Sequence, residues 1–134
     1  TLGAMRYYAM ASIDFAEHWF PDGTTPAALR VAPMLSFDRK DDMQDRALRR
    51  VTRARLEPPR NYVPGALEFV DAVRLGLGWG MLPEPMLTDT TGMVRLNPGR
   101  PFDVPLYWQR WKLESPVLDS LTEAVRRTAR EVLR

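Results

Sequence analysis

The chain has 134 residues, 45% of them hydrophobic and 27% charged, with no low-complexity run, a make-up that fits one globular domain and excludes disordered, collagen-like and coiled-coil architectures. It has no cysteine and a single histidine, His18, so disulfides, thiolate nucleophiles and Cys- or poly-His-built metal sites are excluded, and no metal or cofactor is expected. Nineteen Lys+Arg against seventeen Asp+Glu leave a net charge of +2, too slight for a DNA footprint; no apolar stretch approaches the roughly 20 residues that span a bilayer, and no signal-peptide core opens the chain.

In chain order, residues 2–10 (LGAMRYYAM) read as a buried strand, and Ser12 supplies an N-cap for a short helix that ends at the Pro21-Asp22-Gly23 turn. Thr25-Pro26 repeats the pattern, with a cap and then proline at the first helical position. Residues 31–37 (VAPMLSF) form a second strand. Acidic residues then open a helix that reaches about Val51, with Met43, Ala47, Leu48 and Val51 as its apolar stripe. After the Pro58-Pro59 break come a strand over residues 60–63 and a helix over residues 66–75, with Gly76 as its C-cap. A tight strand follows over residues 78–82 (GWGML), then a short helix near residues 85–88. Strands over residues 92–96 and 104–111 bracket a Pro/Gly loop, and Ser115-Pro116 opens the last helix. Alternation of strands and helices predicts an α/β fold with a mostly parallel sheet flanked by helices.

Each motif has a plain structural alternative. Gly76, Gly78 and Gly80 leave a helix and enter a strand, the reverse of a dinucleotide-binding loop, so they predict close helix–strand packing rather than phosphate binding. Asp38, Asp41, Asp42 and Asp45 suit an acid/base pair, a hard-metal site or a receptor for a cation; capping of the following helix is the alternative. Residues 39–60 carry eight basic and four acidic side chains, and Arg46, Arg49, Arg50 and Arg53 share one helix face, as phosphate binders or as a solvated surface. His18 lacks an activated serine and reads as a surface or packing residue. Tyr107, Trp108 and Trp111 suit ligand stacking or core packing.

The run FDRKDDMQ at residues 37–44, Tyr62-Val63-Pro64, and FVDAVRLGLGWGMLP at residues 69–83 resemble the effector-binding domain of LysR-type transcriptional regulators. Residues 2–12, the FDRKDD stretch and LYWQRW at residues 106–111 resemble its ArgP/LysG branch, whose members sense basic amino acids. The resemblance implies a periplasmic-binding-protein-like domain, with residues 1–113 as its second α/β subdomain. Residues 114–134 would be a helix packing on a first subdomain that, like the winged helix-turn-helix, is absent from this chain. It also implies a cytoplasmic, self-associating regulator of amino-acid export or metabolism genes that contacts DNA only through that missing domain. Its effector would be lysine or arginine, with no catalysis and no membrane association. The effector's carboxylate would meet backbone N–H groups at Pro64, Gly65 and Ala66, where proline has no N–H and the other two must donate. The cationic end would meet Asp38, Asp41 or Asp42. The competing expectation is a small α/β enzyme with Asp38 or Asp42 as general base.

Overall fold

A computed structural model describes residues 1–96 and 100–134. The order is β1 (Gly3–Ser12), α1 (Ile13–Trp19), α2 (Pro26–Val31), β2 (Met34–Ser36), α3 (Met43–Val51), β3 (Arg60–Tyr62), α4 (Ala66–Arg74) and β4 (Gly80–Pro83). A 3-10 turn (Glu84–Met86), β5 (Met93–Arg95), β6 (Phe102–Leu106) and α5 (Pro116–Val132) complete it. Residues 97–99 of the expected Pro/Gly loop lie outside the described residues.

Helix starts follow local hydrogen-bond chemistry. The hydroxyls of Ser12, Thr25 and Ser115 accept from the backbone N–H of Phe15, Ala28 and Leu118 at 3.1, 3.2 and 3.3 Å. Each satisfies a donor that the first helical turn leaves free, and Pro26 and Pro116 stand where no N–H is needed. Two strand expectations shorten. Val31 belongs to α2, which ends at Ala32 because Pro33 disfavours a helical residue before it. β6 stops at Leu106, opposite Gly3 where β1 begins, so residues 107–111 have no strand left to pair.

The α/β class holds, but the expected mostly parallel sheet is corrected by the strand directions. β1 is antiparallel to β4, β5 and β6, with registers that include Met10 opposite Gly80, Met10 opposite Arg95 and Met5 opposite Val104. Among the described residues, parallel pairing is confined to β2 with β3 and a bridge from Met34 to Trp79. The helical crossovers through α3 and α4 produce those parallel neighbours. β1 instead pairs with strands returning from distant parts of the chain, and strand–helix alternation does not encode their direction.

β1 is apolar on both faces because both are covered. Ala11, with Tyr7 and Ala9 beside it, joins a core of Phe15, Leu29, Leu48, Trp79 and Phe102. Met10, with Tyr8, faces Leu35, Phe69, Val73 and Leu82 on the α4 side. At the edge, Arg6 grips Asp103 through two hydrogen bonds of 2.7 and 2.8 Å, which hold the Asp103 carboxyl below its usual range.

The glycine series serves packing. Gly76 takes φ +80° just past α4, a conformation glycine adopts without penalty. A Cβ on Gly80 would stand 2.6 Å from Phe69 Cε1, and one on Gly78 would stand 2.9 Å from Leu35 Cγ. The absent side chains let the strand approach α4 and β2.

α5 is tied to the segment after β6 near its start and to β1 just past its end. Trp108 Nε1 donates to Thr122 Oγ1 at 3.2 Å, and Ala4 and Arg134 exchange backbone hydrogen bonds of 2.8 and 3.0 Å. Thr122 and Ala129 are buried, while Leu121 and Val132 on the same helix remain 48% and 44% exposed.

Gly80→Ala is expected to lower unfolding free energy by about 1–3 kcal/mol, the cost of forcing extra volume against Phe69 in a packed core. Urea denaturation of the variant against the parent measures it, and an unchanged midpoint would contradict the packing account.

Candidate functional site

The short link from β2 to α3 is built around two aspartates. Asp38 Oδ1 accepts from the backbone N–H of Lys40 and Asp41 at 2.7 and 3.0 Å, which spends that oxygen on a tight turn. Asp41 then spans the link: Oδ2 accepts from Phe37 N–H at 2.9 Å and Oδ1 from Met43 N–H at 3.1 Å. Its carboxylate is thereby held at the end of β2 and the start of α3 at once. Asp42 occupies the N-cap position of α3 but makes no side-chain cap hydrogen bond.

A second tie fixes α3 itself. Arg60 at the start of β3 forms a two-pronged pair with Asp45, at 2.6 and 2.9 Å, and donates to Ser36 Oγ at 3.3 Å. Those Asp45 hydrogen bonds hold the guanidinium firmly in its charged form, outweighing the opposing effect of partial burial. The pair joins α3 to the two parallel strands.

Between this link, β1 and the start of α4 lies a cavity of about 370 Å³. Asp41, Phe37, Gln44, Tyr7, Met5 and Ala66 contribute to its wall, with Phe69, Met81 and Met86 filling much of the remainder. One acid in a largely apolar wall suits a small ligand with a cationic end. A second cavity of about 330 Å³ lies against α3, between Leu29, Leu48, Trp79 and Phe102; Arg50 and Arg100 line it, and no carboxylate does among the described residues.

Of the residues singled out from sequence, Asp41 and Ala66 share the first cavity. Asp38 and Asp42 are exposed and outside its lining, and Asp42 lines a different recess with Asp45 and Arg60. Pro64 and Gly65 immediately precede the Ala66 wall. Gly65 is the N-cap of α4 without a side-chain cap hydrogen bond, so the N–H groups of the first turn point free of any side-chain acceptor on the cap residue. The Glu68 carboxylate folds back against Gly65, into the space that a Cβ there would occupy.

The remaining candidates lie outside the lining of the first cavity. Arg46 and Arg50 stack over the Phe102 ring at 4.4 and 4.0 Å from its centroid, joining α3 to β6. His18 lies on the exposed face of α1, edge-on to Trp19 at 4.9 Å. Tyr107 and Trp111 are 63% and 82% exposed.

Two wall residues escaped the sequence reading. Gln44 is 1% exposed, and its Oε1 has no hydrogen-bond partner among the described residues. Its spacing from Leu48 and Val51, four and seven residues, placed it on the apolar stripe of α3 and was the available signal. Tyr7 alternates with Met5 and Ala9 on one side of β1. Burial pushes its phenol up, and the charge of Asp41 adds to the shift.

Tyr7 is therefore expected to ionise above the ordinary tyrosine value of about 10. In Asp41→Asn its titration should move down without returning fully to that value, because burial is the larger cause. Ultraviolet titration of the phenolate, assigned with Tyr7→Phe, checks this; an unmoved Tyr7 titration in Asp41→Asn would separate the two side chains.

Comparison with known proteins bears on the family and the fold. A family model described as LysR substrate binding domain matches residues 1–130. The lysine export transcriptional regulatory protein LysG of Corynebacterium glutamicum is 43% identical over 142 residues, covering 99% of this chain and 46% of that protein. Among solved structures, ArgP from Mycobacterium tuberculosis superposes with a TM-score of 0.93 at 40% identity, over 99% of this chain and 47% of that one. Full-length LysG from Corynebacterium glutamicum with bound effector arginine gives 0.85 at 40% identity, over 99% and 46%. The chain thus spans about half the length of the relatives it matches.

Proposed function

Because this chain belongs to the family of LysR substrate-binding domains, we propose that it is the second effector-binding subdomain of a transcriptional regulator that senses lysine or arginine and controls amino-acid export or metabolism genes. The observation that carries this reading is the single cavity walled by both the Asp41 carboxylate and the start of α4 at Ala66. In it, Asp41 receives the cationic end of the effector through charge-assisted hydrogen bonds. The effector's α-carboxylate is taken by the N–H groups of Gly65 and Ala66, where the α4 dipole favours negative charge and Pro64 has no donor to offer, and it displaces the Glu68 carboxylate that lies against Gly65 in this structure. Relatives named for lysine export and solved with arginine support the choice of effector class.

A first subdomain closes the other side of the cavity, and the half-exposed face of α5 around Leu121 and Val132 docks on it. DNA is read by a separate domain outside this chain, in a self-associating cytoplasmic protein. Among the described residues, no helix is long and apolar enough to cross a membrane. The effector acts by population shift: it biases the assembly only by the difference between its affinities for two hinge arrangements. This is a binding function without turnover. The general-base alternative gains no support from Asp38, whose Oδ1 serves its own turn, or from Asp42, which stands outside the cavity.

Asp41→Asn is expected to weaken both lysine and arginine by about 1.5–3 kcal/mol, the worth of a hydrogen bond to a charged group. Asp38→Asn and Asp42→Asn should cost less than about 0.5 kcal/mol, as surface substitutions do. Calorimetric titration of the complete regulator checks the order, and unchanged affinities in Asp41→Asn would overturn the assignment.

A further inference from the structure

The number of hydrogen-bond donors on the cationic end offers a way to tell arginine from lysine, and the cavity wall holds a residue suited to it. An ionised carboxylate has about four acceptor positions. Asp41 gives one on each oxygen to the backbone N–H groups of Phe37 and Met43, leaving about two for a ligand. The three donors of an ammonium are served by those two and one water or hydroxyl. A guanidinium carries five donors in a fixed plane, and more of them would face Met5, Phe37 and Phe69 unanswered.

Gln44 lines the same cavity, is 1% exposed, and carries an Oε1 with no partner among the described residues. An unanswered buried carboxamide oxygen is costly, and it shares that state with Trp79 Nε1 among the described residues. The Gln44 oxygen is sealed in this structure, and rotation about the broad terminal torsion exchanges it with the amide NH2 to bring it to the cavity. Resting on the effector reading above, we infer that Gln44 is a specificity-determining contact that accepts hydrogen bonds from the effector's side chain and favours a guanidinium over an ammonium. Asp41 supplies the charge, and Gln44 answers the donors that Asp41 has no free oxygen positions to meet.

The test is calorimetric titration of the complete regulator with L-arginine and L-lysine, comparing the parent with Gln44→Met, together with thermal unfolding of each without ligand. Methionine keeps the unbranched shape and removes the unpartnered oxygen, so the variant should unfold at or above the parent temperature. Arginine affinity should fall about tenfold and lysine affinity less than about threefold, in line with the loss of a hydrogen bond to a charged group. Should Gln44→Met not fold, Gln44→Glu keeps shape and acceptors, and its arginine-to-lysine affinity ratio should stay at or above that of the parent. An arginine-to-lysine ratio within twofold of the parent in Gln44→Met, or a fall in that ratio in Gln44→Glu, would overturn the inference while leaving the effector reading intact. A parent that binds neither amino acid would overturn both.

Discussion

One carboxylate connects the elements that form the cavity. Asp41 accepts from a backbone N–H at the end of β2 and from another at the first residue of α3, so strand, turn and helix are fixed relative to one another by a side chain that also faces the cavity. A short link without secondary structure of its own would leave an acid there free to rotate into solvent. Binding two main-chain donors fixes the acid before any ligand arrives, so less conformational entropy remains to be lost when a cation docks. The Arg60–Asp45 pair strengthens the arrangement by joining α3 to β2 and β3 from the opposite side.

The rest of the fold supports that point. β1 is covered on both faces and pairs with three strands, giving the cavity a rigid floor from which Met5 and Tyr7 rise. Gly80 lets α4 sit close enough to the sheet for Ala66 to reach the same wall. Charges near β1 that do not enter the cavity are occupied elsewhere: Arg6 of β1 with Asp103, and Glu84 of the 3-10 turn with Arg134 and Tyr8. Arg46 and Arg50 are likewise held over Phe102. Asp41 therefore stands as the ionic group of the cavity wall among the described residues.

What could be read from the sequence was what depends on neighbours along the chain. The caps at Ser12, Thr25 and Ser115, the proline starts and the Gly76 helix end are local events, and each lies where the residues place it. The direction of the sheet was not legible, because β1 finds its partners about 70 to 100 residues away, as Tyr7 opposite Pro83 and Gly3 opposite Leu106 show. The acidic cluster was visible as a cluster. Which aspartate faces inward depended on turn geometry: Asp38 folds onto Lys40 and Asp41, and that leaves Asp41 to bridge. Gln44 carries two opposed signals: a polar residue near a helix start suggests solvent, whereas its spacing puts it on the buried stripe. The strand expected over residues 104–111 stops at Leu106, because β1 begins opposite it at Gly3 and leaves the rest of LYWQRW nothing to pair with.

A crystal structure of the complete effector domain with bound arginine tests the central claim most directly. It should show a guanidinium nitrogen about 3 Å from an Asp41 carboxylate oxygen, with the α-carboxylate at the N–H groups of Gly65 and Ala66. A guanidinium seated instead on Asp42 and Asp45 on the other side of α3, with Asp41 facing no ligand atom, would contradict it.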